Sequence, residues 1–367
     1  MRPERNRRGL EHVPRREEGD DMNRPKKRRT TLLRRLAVRV ATGLALLVLI
    51  PVVTAGSALR ASYAGSPARD AVTRGRDAVW LGHAWIDGRR GEADLARLKR
   101  RIGDTGIRDL YVHAGPLGND GTLPASAYRN AAWLIGAVHR ELPGVRVQAW
   151  LGNKLVTGPG GAGLWLGSPA ARAAVVASAR QVMRAGFEGV HVDVEPVPTG
   201  DAAFLALLDD LHPVVRSAGG VLSVAAQQID PLPSMHSAAR VMGSKKWWTQ
   251  SYFGKVARRV DQIAVMSYDT ALPWENLYGG YVARQTALAL EAAPPTTDLL
   301  MGLPFYHTDT WGHQSRAETA AAAVRGARLG LSREDHGRQR FGMALYVDFA
   351  ATEADWRAYR SQWGVRG

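Results

Sequence analysis

From Asp77 onward the chain alternates between two hydrophobic periods. Apolar runs of five to nine residues alternate with amphipathic, alanine-rich stretches. Short apolar runs bounded by turn residues read as strands, and apolar positions recurring every three to four residues read as helices. The pattern predicts strands over 78–86, 107–113, 145–151, 189–195, 221–227, 262–268, 299–305 and 342–348. The matching helices are predicted over 92–101, 125–142, 169–185, 202–217, a stretch ending near 259, 281–292, 318–329 and 353–363. Strands that alternate with helices imply a parallel sheet. Eight such units imply closure into an α/β fold of the (β/α)8 TIM-barrel type, with its site at the C-terminal ends of the strands. An open doubly wound sheet is the alternative, but it would place G-x-G-x-x-G after an early strand. The glycine-rich stretch 158–163 follows the third strand without that spacing and reads as a loop.

The N-terminal part has another pattern. Residues 40–59 run twenty positions without a charge, long enough to cross a bilayer. The expected organisation is a basic, disordered cytoplasmic tail over 1–39, a transmembrane helix or signal-anchor over 40–59, a linker over 60–76 and the barrel over 77–367. The basic flank places the N-terminus in the cytoplasm and the barrel outside the cell membrane. A cleaved signal peptide is the competing reading, since Val53-Thr54-Ala55 offers the small residues a signal peptidase accepts. In that case the barrel is secreted.

Composition changes this picture little. The net charge is +15, but residues 1–39 hold fourteen Lys/Arg and six Asp/Glu, so +8 of it sits in the tail. Arginine greatly outnumbers lysine, as GC-rich coding produces, and no basic stripe interleaved with aromatics appears. A nucleic-acid partner is therefore not expected. Without cysteine the chain has no disulfides, no thiolate chemistry and no Cys-based zinc site.

The most informative segment is Gly186-Phe187-Glu188-Gly189-Val190-His191-Val192-Asp193-Val194-Glu195-Pro196. Side chains on a strand alternate between faces. Val190, Val192 and Val194 then face the helices, while His191, Asp193 and Glu195 face the barrel interior, with Glu195 nearest the rim. Buried polar groups need hydrogen-bond partners, so a purely structural ladder is the bland reading. The functional reading is that two neighbouring carboxyls cannot both ionise easily. One keeps its proton near neutral pH, as a general acid requires.

This segment resembles the D-G-x-D-x-D-x-E signature of family-18 glycoside hydrolases, the chitinases and endo-β-N-acetylglucosaminidases. Glu188 and His191 stand where that signature has aspartates, and Asp193 and Glu195 match it. Val265-Met266-Ser267-Tyr268-Asp269 is similar to the family's M-x-Y-D, and Gly302-Leu303-Pro304-Phe305-Tyr306 to its G-[VL]-P-F-Y-G. The three fall on the fourth, sixth and seventh strands, as in the family. The resemblance implies a divergent, retaining, substrate-assisted hydrolase of β-glycosidic bonds in N-acetylglucosamine-containing glycans, acting without a metal or other cofactor. It makes Glu195 the proton donor and gives Asp193 and Tyr268 contacts to the substrate's acetamido group. Asp269 and Met266 shape the subsite, and His191 hydrogen-bonds Asp193. Two departures stand out. The family's S-x-G-G is Ala149-Trp150-Leu151-Gly152 here, and the tryptophan ending the last strand is Tyr346.

Trp85, His113, Trp150 and Gln227 are placed at strand ends to touch substrate, as is Tyr306 after the seventh strand. His83 ends the first strand beside Trp85. Trp247-Trp248 either extends the sugar groove or anchors the next helix, and Trp356 and Trp363 read as core. Two rival functions remain in view. One is a metal hydrolase using His83, His113, His191, Asp193 and Asp348, although no His-x-His stands on the first strand. The other is a non-catalytic, glycan-binding barrel of the cell wall.

Overall fold

The computed structural model describes residues 24–232, 235–237 and 246–364. Most of the expected tail, residues 1–23, lies outside them, as do Pro233 and the last three positions. In chain order the elements are α1 (Arg24–Tyr63), β1 (Asp77–Leu81), α2 (Glu92–Ile102), β2 (Ile107–Pro116), α3 (Ala131–Glu141), β3 (Arg146–Lys154) and α4 (Pro169–Arg184). Next come β4 (Gly189–Glu195), α5 (Ala202–Ser217), β5 (Val221–Ala226), β6 (Gln228–Ile229), β7 (Trp247–Trp248) and α6 (Gln250–Ala257). The chain finishes with β8 (Gln262–Val265), α7 (Glu275–Ala292), β9 (Asp298–Pro304), α8 (Ala320–Glu334), β10 (Phe341–Tyr346) and α9 (Glu353–Trp363).

Eight parallel strands close in the order β1-β10-β9-β8-β5-β4-β3-β2. The TIM barrel expected from the sequence is therefore present, with β6 and β7 as a separate pair beside it. Local chemistry explains where several helices start. Ser168 caps α4 ahead of Pro169, Asp201 caps α5, and Thr352 with Asp355 forms a capping box on α9. The predicted bounds of β4, α5 and α9 coincide with the observed ones.

Other bounds differ for tertiary reasons. The first strand ends at Leu81, not 86, because His83–Trp85 turns into a 3-10 helix. Asp348, just past β10, holds that turn by accepting from the Gly82 N–H at 3.0 Å and the Trp85 indole at 2.9 Å. The helix predicted from 281 starts at Glu275 instead. Gly279 and Gly280, inside it, permit close packing. A Cβ at Gly279 would overlap the Tyr63 ring, and one at Gly280 would overlap the Leu59 carbonyl.

The interior of the barrel is layered. Asp109, Gln148 and Gln262 form a buried polar network at the bottom, with Arg146 forking onto Asp109 at 2.8 Å through two bonds. Above it, Trp80 and Tyr111 fill the space left by Ala78, Ala264 and Ala344. The outward-facing Val190, Val192 and Val194 join the larger core between sheet and helices. The alternation read from β4 thus places its polar face inside.

The N-terminal part is a second body, comprising residues up to Ala55. Residues 34–63 of α1 are long and apolar enough to cross a membrane, by length and composition. Helix α1 begins at Arg24 and so takes in part of the segment expected to be a disordered tail. The expected linker is not free chain either. Residues 60–63 are helical. Three arginines of α8 hold the chain between Ser62 and Ala71. Arg325 donates to the carbonyls of Tyr63 and Gly65 and lies 4.1 Å over the Tyr63 ring. Arg333 donates to those of Ser62 and Ala64, and Arg328 to those of Ala68 and Ala71. Adding a methyl group at Gly280 should push the 56–63 segment away. We expect Gly280→Ala to cost about 1–3 kcal/mol and to speed hydrogen exchange across 59–72. Unchanged exchange there would contradict this packing.

Candidate active site

Strand β4 delivers Asp193 and Glu195 to the C-terminal mouth of the barrel. The mouth holds a cavity of about 300 Å³ lined by Asp193, Glu195, Gln227, Gln228, Lys246, Met266, Tyr268, Asp269 and Tyr346. These residues come from β4, β6 and β10, from the segments just before β6 and β7, and from the loop after β8, segments far apart in sequence. Tyr268 and Tyr346 stack with centroids 5.4 Å apart, 18° from parallel. They form an aromatic wall opposite the carboxyls, of the kind that packs against apolar sugar faces.

The electrostatics favour a proton on one carboxyl. Burial, then the charges of Asp193 and Asp269, push Glu195 up to about 8. Burial also raises Asp193, to about 6, although a hydrogen bond from Trp150 opposes the rise. Asp193 Oδ2 accepts from the Trp150 indole at 2.8 Å. Its Oδ1 is buried with no hydrogen-bond partner among the described residues. An unsatisfied buried carboxylate oxygen costs free energy unless a ligand supplies a donor. The pair titrates as a unit, with the proton residing mainly on Glu195.

Of the residues singled out in the sequence, Asp193, Glu195, Tyr268, Asp269, Met266, Tyr346 and Gln227 meet in this cavity. Trp150 acts on it through Asp193, and Tyr306 through Asp269, whose Oδ1 accepts from the Tyr306 hydroxyl. His191 does not reach Asp193, which corrects the role expected for it. Its Nε2 lies 3.1 Å from the Trp80 indole nitrogen, its Nδ1 2.8 Å from Ser223 Oγ, and its ring stacks on Tyr111 at 3.8 Å. An indole N–H can only donate, so Nε2 accepts and Nδ1 carries the proton. Burial lowers the His191 pKa to about 3, and it is a neutral core histidine one layer below the mouth.

Trp85 also lies elsewhere. It is buried in the turn after β1 with its indole on Asp348, so it gives the cavity no wall. His113 packs edge-on to Trp150 at 4.7 Å and does not line the cavity. Burial, reinforced by His83, lowers its pKa to about 4. Trp248 is buried and donates to the Val197 carbonyl, and Trp247 donates to Tyr281, so the pair anchors rather than extends the groove.

Sequence reasoning missed four residues. Gln228 bridges the Tyr268 carbonyl and the Tyr281 hydroxyl, and Lys246 donates to the Asp269 carbonyl. His313 and Glu318, from the segment after β9, stand behind Asp269. None belongs to a local motif, and only the fold brings them near. Asp269, His313 and Glu318 are also a group whose ligand-type atoms lie within 4.8 Å of one another. None of the histidines of the metal-hydrolase reading belongs to it.

No family profile matches this sequence, and no curated sequence is similar to it. Solved structures do match. The spore cortex-lytic enzyme SleL of Bacillus megaterium is similar with a TM-score of 0.55 at 12% identity, over 78% of this chain and 74% of that one. A chitinase of Chromobacterium violaceum gives 0.53 at 17% identity, over 78% and 98%. A class V chitinase of Pseudomonas fluorescens gives 0.52 at 15% identity, also over 78% and 98%. The chain has the chitinase barrel fold. Identities this low speak for architecture, and function must be argued from the site.

The raised Glu195 pKa has a measurable consequence for stability. A carboxyl whose folded value lies above its unfolded value of 4.5 is at its most favourable below that value. It loses this contribution as pH rises through the folded value near 8. Glu195→Gln removes the buried charge. It should stabilise the protein by roughly 2–4 kcal/mol near pH 9 and change little near pH 4. Thermal unfolding of parent and variant across this range reads the difference, and a gap independent of pH would contradict it.

Proposed function

We propose that this protein is a divergent family-18-like glycoside hydrolase. It would cleave β-glycosidic bonds in glycans built from 2-acetamido sugars, such as chitin-like oligomers or peptidoglycan, by a retaining, substrate-assisted mechanism. The observation that carries the reading is the half-buried pair at the mouth. Glu195 is held protonated near neutral pH beside an Asp193 whose free oxygen meets no donor among the described residues. Motifs on three strands and the chitinase barrel fold support it.

In this reading Glu195 protonates the glycosidic oxygen as the bond to the leaving sugar breaks. The substrate's acetamido oxygen attacks the anomeric carbon from the opposite face, giving a cyclic oxazolinium ion. Asp193 accepts the acetamido N–H on Oδ1, filling the vacant hydrogen-bond position, and its charge stabilises the cation. The Tyr268 hydroxyl donates to the acetamido oxygen and fixes its approach. The leaving sugar takes the proton, and the Glu195 carboxylate then deprotonates the water that opens the oxazolinium ring, which restores the acid. Tyr346 packs beneath the bound sugar. The apolar N-terminal helix tethers the enzyme to the cell membrane with its basic flank in the cytoplasm.

Purified full-length protein in detergent, assayed on N-acetylglucosamine oligomers and cell wall, tests this. Glu195→Gln should lose at least about a hundredfold in kcat. The parent's kcat/KM should be bell-shaped, with limbs near 6 and 8 that belong to the pair. Glycan binding without turnover by either protein would indicate a binding barrel instead, and activity indifferent to the mutation would refute the assignment of the acid. The absence of cysteine makes topology easy to read. Ser66→Cys should react with a membrane-impermeant thiol reagent on intact cells, and protection there would contradict an external barrel.

A further inference from the structure

The backbone that carries Asp269 into the cavity is in an unfavourable conformation. Asp269 and Ala271 both have φ of +57°. This left-handed region is disfavoured for residues with a Cβ and persists only where the surroundings hold it. Here the holder is Glu318, buried at the start of the α8 segment. Its Oε1 accepts from the Thr270 N–H at 2.9 Å, the Thr270 hydroxyl at 3.1 Å and the Ala271 N–H at 3.1 Å. The other oxygen, Oε2, lies 3.4 Å from Nδ1 of His313. The same Nδ1 is 3.3 Å from Asp269 Oδ1, and the His313 side chain is fully buried. One imidazole is thus inserted between two carboxylates, one of them in the cavity wall.

We propose that His313, kept as an imidazolium by Glu318, is a positioning residue for Asp269, clamping its carboxylate at the cavity wall and offsetting the field it exerts on Glu195. The inference rests on the glycosidase reading for its consequence, but not for its geometry. Three observations favour it. Nδ1 lies within ion-pair distance of both carboxylates, and neither ring nitrogen has another hydrogen-bond partner among the described residues. Burial opposes a charge on His313, yet pairing with Asp269 and Glu318 outweighs it and raises the pKa to about 9. Asp269 in turn stays below its ordinary range, because pairing with His313 and Tyr306 outweighs its burial. The other groups facing the cluster are Tyr306, with its ring 4.3 Å from His313, and Lys246 on the Asp269 carbonyl. Tyr278 and the exposed Asp309 lie further out.

The sign of the effect follows from the charges. Asp269 is one of the groups that raise Glu195. Neutralising His313 exposes more of the Asp269 charge, so Glu195 should hold its proton to higher pH. Neutralising Asp269 should do the reverse.

The test uses full-length protein in detergent, with 15N-labelled histidine. In the parent near pH 8, both ring nitrogens of His313 should carry protons, a state assigned by loss of that signal in His313→Gln. In kinetics, His313→Gln and Glu318→Gln should lower kcat roughly ten- to hundredfold while KM changes little. The alkaline limb of kcat/KM should move up in His313→Gln and down in Asp269→Asn. A merely structural role would lower activity without these opposed shifts, and that outcome overturns the proposal. So does a neutral His313 in the parent, or a His313 signal that responds to zinc or EDTA, which would make the three side chains a metal site. If the parent hydrolyses no glycan, the glycosidase reading fails, while the ring's protonation still decides whether the imidazolium clamp exists.

Discussion

Two carboxyls on one face of β4, two residues apart and half-buried at the mouth of a closed barrel, are the constraint around which the site is arranged. A single indole, that of Trp150, donates to Asp193. The arrangement is costly for folding alone, since an unpaired buried oxygen and two mutually repelling acids both oppose stability. The expense resolves if the site is built for a ligand. A proton on Glu195 removes the repulsion, and an amide N–H from substrate would satisfy the oxygen left free.

The layers beneath explain how the barrel tolerates that mouth. His191 lies on the same face of β4 but is fully satisfied by Trp80 and Ser223 and covered by Tyr111. It behaves as a neutral spacer. The bottom network of Asp109, Arg146, Gln148 and Gln262 is hydrogen-bonded within itself, with Gln148 Oε1 left without a partner among the described residues. Within the β4 column the unsatisfied buried oxygen is that of Asp193. This division separates the residues that hold the barrel from those available for chemistry.

A similar economy appears outside the barrel. Helix α8 binds the chain after α1 through Arg325, Arg328 and Arg333, each donating to two backbone carbonyls. Glycines in α7 let residues 59–63 approach to backbone contact. Just ahead of α8, Glu318 supports the turn that carries Asp269. One short stretch of sequence thus serves both the strap and the site.

The alternation of period two and period three to four was sufficient to read eight β/α units and, in β4, α5 and α9, their bounds. It also put Asp193 and Glu195 on one inward face, because side-chain direction on a strand is a local property. What local pattern could not convey was depth and partnership. His191 and Asp193 point the same way, yet one lies in a sealed layer and the other at an open mouth. Trp85 turns away from the strand end, because Asp348, just past the neighbouring strand β10, accepts from its indole. Gly279 and Gly280 carry no local signal of the 59–63 segment that needs their missing side chains. Lys246, Gln228, His313 and Glu318 entered the site through closure of the barrel. The sequence by itself determined the fold class and the direction in which the β4 side chains point, both set by nearest-neighbour geometry. Only the tertiary structure decided which polar groups are paired and which are left free, because that depends on contacts between residues a hundred positions apart.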